Sequence, residues 1–327
     1  MIIAEIGSVH DGSFGNAKKL IEVAKNSGAD FVKFQMHMAD AETSKDAYNP
    51  SYFKDEGRFE YFKRTSFSLK QWKSLFNFAK SKKIGFMCSV FSEKAFQIST
   101  KLGIKNIKIP SGEVNNLPLL EQISKKNRIY IFLSTGMSSW DEIIKAVKIL
   151  KKNNLVIMQC TSMYPCPNNY IGLNVIKEMR KKFGEKFLYG FSDHSEGVEA
   201  AIGATIYGAE YIEKHITFSK KMYGSDAKFA MEPHEFKKFC TSINKVKKII
   251  LSPVNKNNLG PFKKMKKVFE KNIIAKENIK KGQKIKFSNL DFKKSKIGIK
   301  AYNYKKILGL VAKKNIFKGS ILKKGDF

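Results

Sequence analysis

From the first residue to about residue 250, short apolar runs rich in β-forming residues alternate with amphipathic helical stretches. No other feature restricts the fold as strongly, because a repeated strand–helix pattern builds a parallel sheet covered by its own crossovers. The expected strands are Ile2–Gly7, Phe31–Gln35, Gly85–Val90, Asn106–Ser111, Tyr130–Ser134, Val156–Thr161, Tyr189–His194 and Tyr211–Thr217. Between them the apolar spacing predicts helices over Asn16–Asn26, Leu69–Ser81, Ser139–Lys151, Gly172–Phe183, Gly197–Tyr207 and Pro233–Ile250. In the first of these, Ala17, Leu20, Ile21, Val23 and Ala24 mark the apolar positions.

Eight such units predict an α/β fold closed as a (β/α)8 TIM barrel, with an open doubly wound sheet as the alternative. The polar residues favour the barrel. Nearly every run carries a reactive or hydrogen-bonding group in it or at its end: Glu5, Lys33, Gln35, Ser89, Lys108, Ser111, Ser134, Thr161, His194 and His215. A barrel mouth gathers such groups from the C-terminal ends of many strands. Residues 37–66 interrupt the repeat as a long βα loop, of the kind that serves as a lid or an interface.

The texture changes near residue 250. Residues 253–265 read as a linker between a catalytic domain over 1–252 and a small β-rich domain over 266–327. In the small domain, Asn278-Ile279-Lys280-Lys281-Gly282 and Asn315-Ile316-Phe317-Lys318-Gly319 look like two copies of one turn.

A net charge of +32 raises the question of an anionic partner. Only Arg58, Arg64, Arg128 and Arg180 of the 61 basic residues are arginine, and lysine is spread along the whole length. Base and phosphate recognition favours arginine, so nucleic acid is not expected as a partner. The positive field would still draw small anions toward the protein. No membrane partner is expected, because no apolar run reaches the 18 residues that suggest a span. The first residues lack the basic leader of a secretion signal. Cys88, Cys160, Cys166 and Cys240 are scattered in the manner of reduced thiols, and the expected location is cytoplasmic.

Three constellations carry chemistry. His194 and His215 fall at the tips of the seventh and eighth expected strands, where two imidazoles can bind one divalent ion and leave positions open. The plainer reading is two polar residues on a barrel rim. Lys33 and Lys108 lie inside apolar strands, so each ammonium needs an anion; a substrate bearing phosphate and carboxylate would satisfy both, and a Schiff-base lysine is the alternative. Ser111-Gly112-Glu113 and Ser134-Thr135-Gly136 offer hydroxyls and backbone amides suited to phosphate. Glu5 and Glu113 add carboxylates that either relay protons or pair with the lysines.

Several strings together resemble the sialic acid (N-acetylneuraminate) synthase family. They are Ala4-Glu5-Ile6-Gly7, Val32-Lys33-Phe34-Gln35, Lys108-Ile109-Pro110-Ser111-Gly112-Glu113-Val114-Asn115-Asn116, Leu133-Ser134-Thr135-Gly136-Met137, Cys160-Thr161-Ser162-Met163-Tyr164-Pro165, Phe191-Ser192-Asp193-His194 and Ile212-Glu213-Lys214-His215. The tail resembles the antifreeze-like (SAF) domain of these enzymes.

The resemblance implies condensation of phosphoenolpyruvate with an open-chain hexose such as N-acetylmannosamine, plus water, to give a nonulosonic acid and phosphate. It implies a manganese ion on His194 and His215, with magnesium or cobalt as substitutes. Lys33, Ser89, Lys108, Ser111, Ser134 and Ser192 would bind phosphoenolpyruvate. Glu5, Gln35 and Glu113 would act in catalysis, and Tyr164 and Asp226 would touch the sugar. A domain-swapped homodimer is also implied.

Four departures concern the acceptor side. Ser162 stands in place of an asparagine, Val9 replaces the asparagine before His10, and Ser225-Asp226-Ala227 keeps only the aspartate of the family pattern. Lys294 stands for an arginine that reaches the partner's sugar. Legionaminic, pseudaminic and deaminated sialic acids are therefore alternative products. A class I aldolase acting through Lys108 and a binding protein without turnover are competing readings of the same residues.

Overall fold

The computed structural model describes residues 1–49 and 56–327, and the chain divides into two compact units, Met1–Ser252 and Pro253–Phe327. In the first unit every expected run is a strand: β1 (Ile2–Gly7), β2 (Phe31–Met36), β3 (Gly85–Val90), β4 (Asn106–Ile109), β5 (Tyr130–Ser134), β6 (Asn154–Cys160), β7 (Leu188–Asp193) and β8 (Tyr211–His215). All neighbours pair in parallel, and β1 pairs with β8 to close the barrel. The helices in chain order are α1 (Phe14–Ser27), α2 (Ala39–Glu42), α3 (Arg58–Thr65), α4 (Leu69–Ser81), α5 (Glu93–Lys101), α6 (Leu117–Ser124), α7 (Trp140–Leu150), α8 (Asn174–Phe183), α9 (Glu199–Ile206), α10 (Pro233–Ile250) and, in the second unit, α11 (Lys263–Phe269).

Capping chemistry sets where several helices begin. Ser13 accepts the Asn16 N–H and starts α1 two residues before its apolar stripe suggested. Ser68 with Gln71 and Ser139 with Glu142 form reciprocal boxes at α4 and α7. α1 ends at Gly28, whose φ of 98° is the left-handed conformation that a glycine stop supplies.

Strand alternation then divides the side chains. In β1, Ile2, Ala4 and Ile6 face outward into the helix-covered core, while Ile3 joins Met87, Phe132, Val156 and Met158 in an apolar layer inside the barrel. Burying each such Ile, Leu or Phe contributes about 1.5–3 kcal/mol relative to exposure. Two residues beyond Ile3, Met87 and Phe132 stand Glu5, Ser89 and Ser134, so the interior turns polar there and that layer floors the site.

The long segment after β2 is less open than its composition suggested, since it carries α2 and α3; residues 50–55 within it lie outside the described residues. The stretch expected as a linker carries a 3-10 turn at Gly260–Phe262 and leads into α11.

The second unit contains an antiparallel pair, β9 (Lys271–Ala275) and β10 (Leu290–Lys294), and a core of Ile273, Ala275, Ile279, Ile285, Leu290, Ile307, Ala312, Ile316 and Leu322. The two similar turns pair with each other. Ile279 and Ile316 exchange both backbone hydrogen bonds at 2.8 Å. The Asn315 Oδ1 accepts the Lys281 N–H at 2.8 Å, and the Asn278 Oδ1 accepts the Lys318 N–H at 2.7 Å. Gly282 and Gly319 take φ of 84° and 82°, the left-handed geometry these turns require.

Among the described residues no helix is long and apolar enough to cross a membrane.

Candidate active site

At the C-terminal ends of the strands lies a cavity of about 450 Å³. Glu5, Lys33, Gln35, Ser89, Lys108, Ser111, Glu113, Ser134, Ser162, Tyr164, Ser192, His194, His215 and Asp226 all line it. Of the residues expected from sequence to serve catalysis, substrate or metal, Lys294 alone is elsewhere. It belongs to the second unit, where its ammonium sits 4.7 Å from the Phe269 ring.

The floor is a buried chain of alternating charge. Glu5 Oε2 lies 2.9 Å from Lys33 Nζ, Lys33 lies 3.4 Å from Glu213 Oε1, and Lys108 lies 2.8 Å from Glu213 Oε2. All four side chains are at most 5% exposed. Lys33 also donates to Ser89 Oγ at 2.9 Å, and Ser192 Oγ donates to Glu213 Oε1 at 3.0 Å. The sequence pattern asks for an anion from outside to meet the lysines, but the fold supplies one in Glu213. That residue was missed, although strand alternation could have found it: it sits two positions before His215 and so shares its inward face.

Position in this chain decides each ionisation. The inner members each have two opposite charges beside them. Burial opposes the Glu213 carboxylate, yet Lys108 and Lys33 hold its pKa far below the ordinary range. Burial likewise opposes the Lys33 ammonium, but Glu213 and Glu5 outweigh it and raise its pKa. The end members have one counter-charge each, and for them burial wins. Glu5 is pushed up to about 7 against the pull of Lys33. Lys108 is lowered by burial, with Glu213 opposing and Lys33 reinforcing the shift.

Above this floor the two imidazoles have ring centroids 5.6 Å apart. The Nδ1–H of His194 donates to the Thr161 carbonyl at 2.8 Å, which leaves the Nε2 lone pair available. His215 Nδ1 is buried without a hydrogen-bond partner, and burial lowers its pKa to about 4, so the ring is neutral. Among the described residues no third His, Cys, Asp or Glu completes a ligand cluster with them. Burial opposes the charged form of His194, yet Cys160 and the Thr161 carbonyl raise its pKa, so its Nε2 becomes a donor on loss of that proton. Two imidazole nitrogens, one of them buried and unpartnered, fit a divalent cation whose other positions are left to substrate.

The serine–glycine turns are knitted together. Gly136 gives its N–H to Ser111 Oγ at 3.0 Å, so that amide is already committed and is not free for an anion. A Cβ on Gly136 would lie 2.5 Å from Ser162 Oγ and 2.8 Å from Ser111 Oγ, so only glycine lets these hydroxyls converge. Asp226 packs against Gly7, whose φ is 54° and whose added Cβ would meet Asp226 Oδ2 at 2.6 Å. Glu113 is bonded to Asn116 Nδ2 at 2.7 Å, and burial raises its pKa.

Sequence reading also passed over His37, Arg58 and Phe62, which line the cavity from the segment after β2. Arg58 Nε is buried there without a hydrogen-bond partner. No periodicity marks these residues; only the tertiary fold brings them in.

A model described as the NeuB family matches residues 20–255, and one described as the SAF domain matches residues 271–327. The chain belongs to the NeuB family. This NeuB-family chain is 38% identical over 325 residues to an N,N'-diacetyllegionaminic acid synthase of Campylobacter jejuni, covering 96% of each chain. It is 32% identical to the human N-acetylneuraminate-9-phosphate synthase, covering 96% of this chain and 88% of that one. A crystal structure of the N-acetylneuraminic acid synthetase of Leptospira borgpetersenii superposes with a TM-score of 0.70 at 28% identity, over 82% of this chain and 91% of that one. The chain is thus a nonulosonic acid synthase by family, and its relatives differ in the acid they are named for.

Proposed function

We propose that this chain condenses phosphoenolpyruvate with an open-chain amino-hexose and water, releasing phosphate and a nonulosonic acid. The observation that carries this reading is the charge chain Glu5–Lys33–Glu213–Lys108 flooring the cavity that also holds His194 and His215. In the reaction, water oxygen bonds to C2 of phosphoenolpyruvate, C3 bonds to the aldehyde carbon, and the C2 phosphate leaves. Lys33 and Lys108, with Ser89, Ser111, Ser134 and Ser192, would hold the phosphate and carboxylate of the donor. Lys108 is the better placed of the two lysines to turn toward a new anion, because it shares only one carboxylate.

Glu5, with a pKa near 7, can hold or give up a proton at working pH, and Gln35 fixes its orientation through a 2.8 Å bond. Glu113, Tyr164, Ser162 and Asp226 would face the sugar. When bound at His194 and His215, a divalent ion, manganese in our reading, supplies Lewis-acid polarisation of the aldehyde oxygen. The acceptor belongs with the variable side of the site. N-acetylmannosamine and the precursors of legionaminic, pseudaminic or deaminated sialic acids are the candidates. A homodimer in which the SAF domain of one subunit, through Lys294, serves the barrel of the other completes the proposal.

Product mass from phosphoenolpyruvate and a hexose panel, with manganese, magnesium or cobalt, tests the reading; no product with any acceptor would sink it. One observation favours a second reading. A buried lysine with a lowered pKa is also a Schiff-base former, and Lys108 is such a residue. Borohydride trapping of Lys108 with pyruvate would identify that aldolase chemistry.

A further inference from the structure

A continuous run of hydrogen bonds leaves the charged floor and ends on α2. Glu5 Oε1 accepts from Gln35 Nε2 at 2.8 Å, and Gln35 Oε1 meets His37 Nε2 at 3.0 Å. His37 Nδ1 meets Glu42 Oε1 at 2.6 Å, and Glu42 Oε2 accepts the Met38 N–H at 3.0 Å. The His37 and Glu42 side chains are 6% and 5% exposed. The imidazole is clamped between two rings, with centroids 3.6 Å from Phe62 of α3 and 4.1 Å from Phe91 after β3. Two elements outside the catalytic floor therefore hold one ring in one plane.

We propose that His37 and Glu42 are positioning residues that fix the Gln35 amide, and through it the Glu5 carboxylate, for the condensation proposed above. The polarity of the bonds is what requires both. A carboxamide has two nearly isosteric orientations related by a 180° turn, and only its partners choose between them. Glu5 at one end requires the amide nitrogen when ionised. An oxygen turned toward it would set lone pair against lone pair in a buried site, a loss of the order of a full hydrogen bond with its desolvation cost.

The choice is secured at the other end. Gln35 Oε1 can only accept, so His37 Nε2 must donate, while Glu42 Oε1 meets Nδ1 at 2.6 Å and anchors the ring in register with the amide. Without Glu42 the ring loses that anchor, the Nε2–H no longer has a fixed place to donate, and the amide can turn over so that its oxygen faces Glu5. Loss of the His37 donor has the same consequence. A one-ångström error in such a group is enough to cost about a hundredfold in rate.

The inference rests on the proposed synthase reading, and the test separates the two. Phosphate release from phosphoenolpyruvate by the wild-type protein is measured first across the hexose panel. An inactive wild type would refute the reading itself. With an active wild type, His37→Phe keeps the ring between Phe62 and Phe91 but has no N–H, whereas His37→Gln keeps a terminal N–H donor and loses the stack. The expected result is a fall of about 10- to 100-fold in kcat for His37→Phe with the KM for phosphoenolpyruvate within about twofold, and recovery of most of that loss in His37→Gln. Unchanged kcat in His37→Phe, or an equal fall in both variants, would overturn the proposal and leave His37 as packing. Should His37→Phe not fold, Glu42→Leu decides. It offers Nδ1 no polar atom, so a kcat equal to wild type would likewise overturn the proposal, and a drop of several-fold at constant KM would support it.

Discussion

Removing the Glu213 charge isolates the energetics of the barrel floor. Above about pH 7, where Glu5 is ionised, Glu5, Lys33, Glu213 and Lys108 together carry two positive and two negative charges, and all are at most 5% exposed. Glu213→Gln keeps the shape and the Ser192 contact but leaves one excess buried positive charge. Lys108 loses its counter-ion at 2.8 Å, while Lys33 keeps Glu5 at 2.9 Å. Breaking a buried pair by removing one partner costs about 3–5 kcal/mol. In a unit of this size each kcal/mol moves the midpoint by about 2–4 °C, so Tm should fall by roughly 6–20 °C.

The opposite single change, Lys108→Met, leaves one excess negative charge and should cost a similar amount. In the double variant the charge parity is restored, because Glu5 and Lys33 remain as a neutral pair. The new methionine would lie near Met158, whose sulfur is now 3.3 Å from Lys108 Nζ. Most of the lost stability should return, giving a coupling of at least about 2 kcal/mol between the two sites. Urea unfolding of the four proteins, followed by circular dichroism, measures it. A Glu213→Gln protein within about 0.5 kcal/mol of wild type, or a double variant no better than the worse single, would refute the charge-parity argument.

Gly7→Ala should lower kcat/KM at least about tenfold while costing only about 1–2 kcal/mol of stability, because its Cβ would push Asp226 Oδ2 from 2.6 Å; steady-state kinetics beside thermal melts checks this. His10 is buried, and burial lowers its pKa from 6.5 to about 4. The unfolded chain then binds the extra proton first, so stability should fall by up to about 3 kcal/mol as pH drops from 6.5 to 4. Denaturant titrations across that range should show the slope in wild type and a shallower one in His10→Gln. Asn315→Ala should remove one bond of the paired turns, worth about 1 kcal/mol, and speed amide exchange at Lys281 while sparing Lys318.

What the sequence revealed depended on periodicity. The strands were legible as short apolar runs, because both the outward Ile2, Ala4 and Ile6 and the inward Ile3 are buried. The polar residues in those strands located the mouth. Glu213 was hidden by the more conspicuous histidine beside it, yet it shares that histidine's face. His37, Glu42 and Arg58 were not legible, because their segment has no repeating pattern; the fold sets His37 against Phe91 and Glu42 and brings Arg58 to the cavity. The paired turns of the second unit were visible as a repeat, but that each asparagine bonds the other copy's backbone appears only in the fold.

The proposed chemistry stands or falls on phosphoenolpyruvate as the donor. Phosphate and nonulosonic acid can be followed together, with phosphoenolpyruvate and with pyruvate as donor, in the presence of manganese. Phosphoenolpyruvate should yield equal amounts of phosphate and acid, and pyruvate should yield no acid. Acid formed from pyruvate, with Lys108 trapped by borohydride, would contradict the proposal.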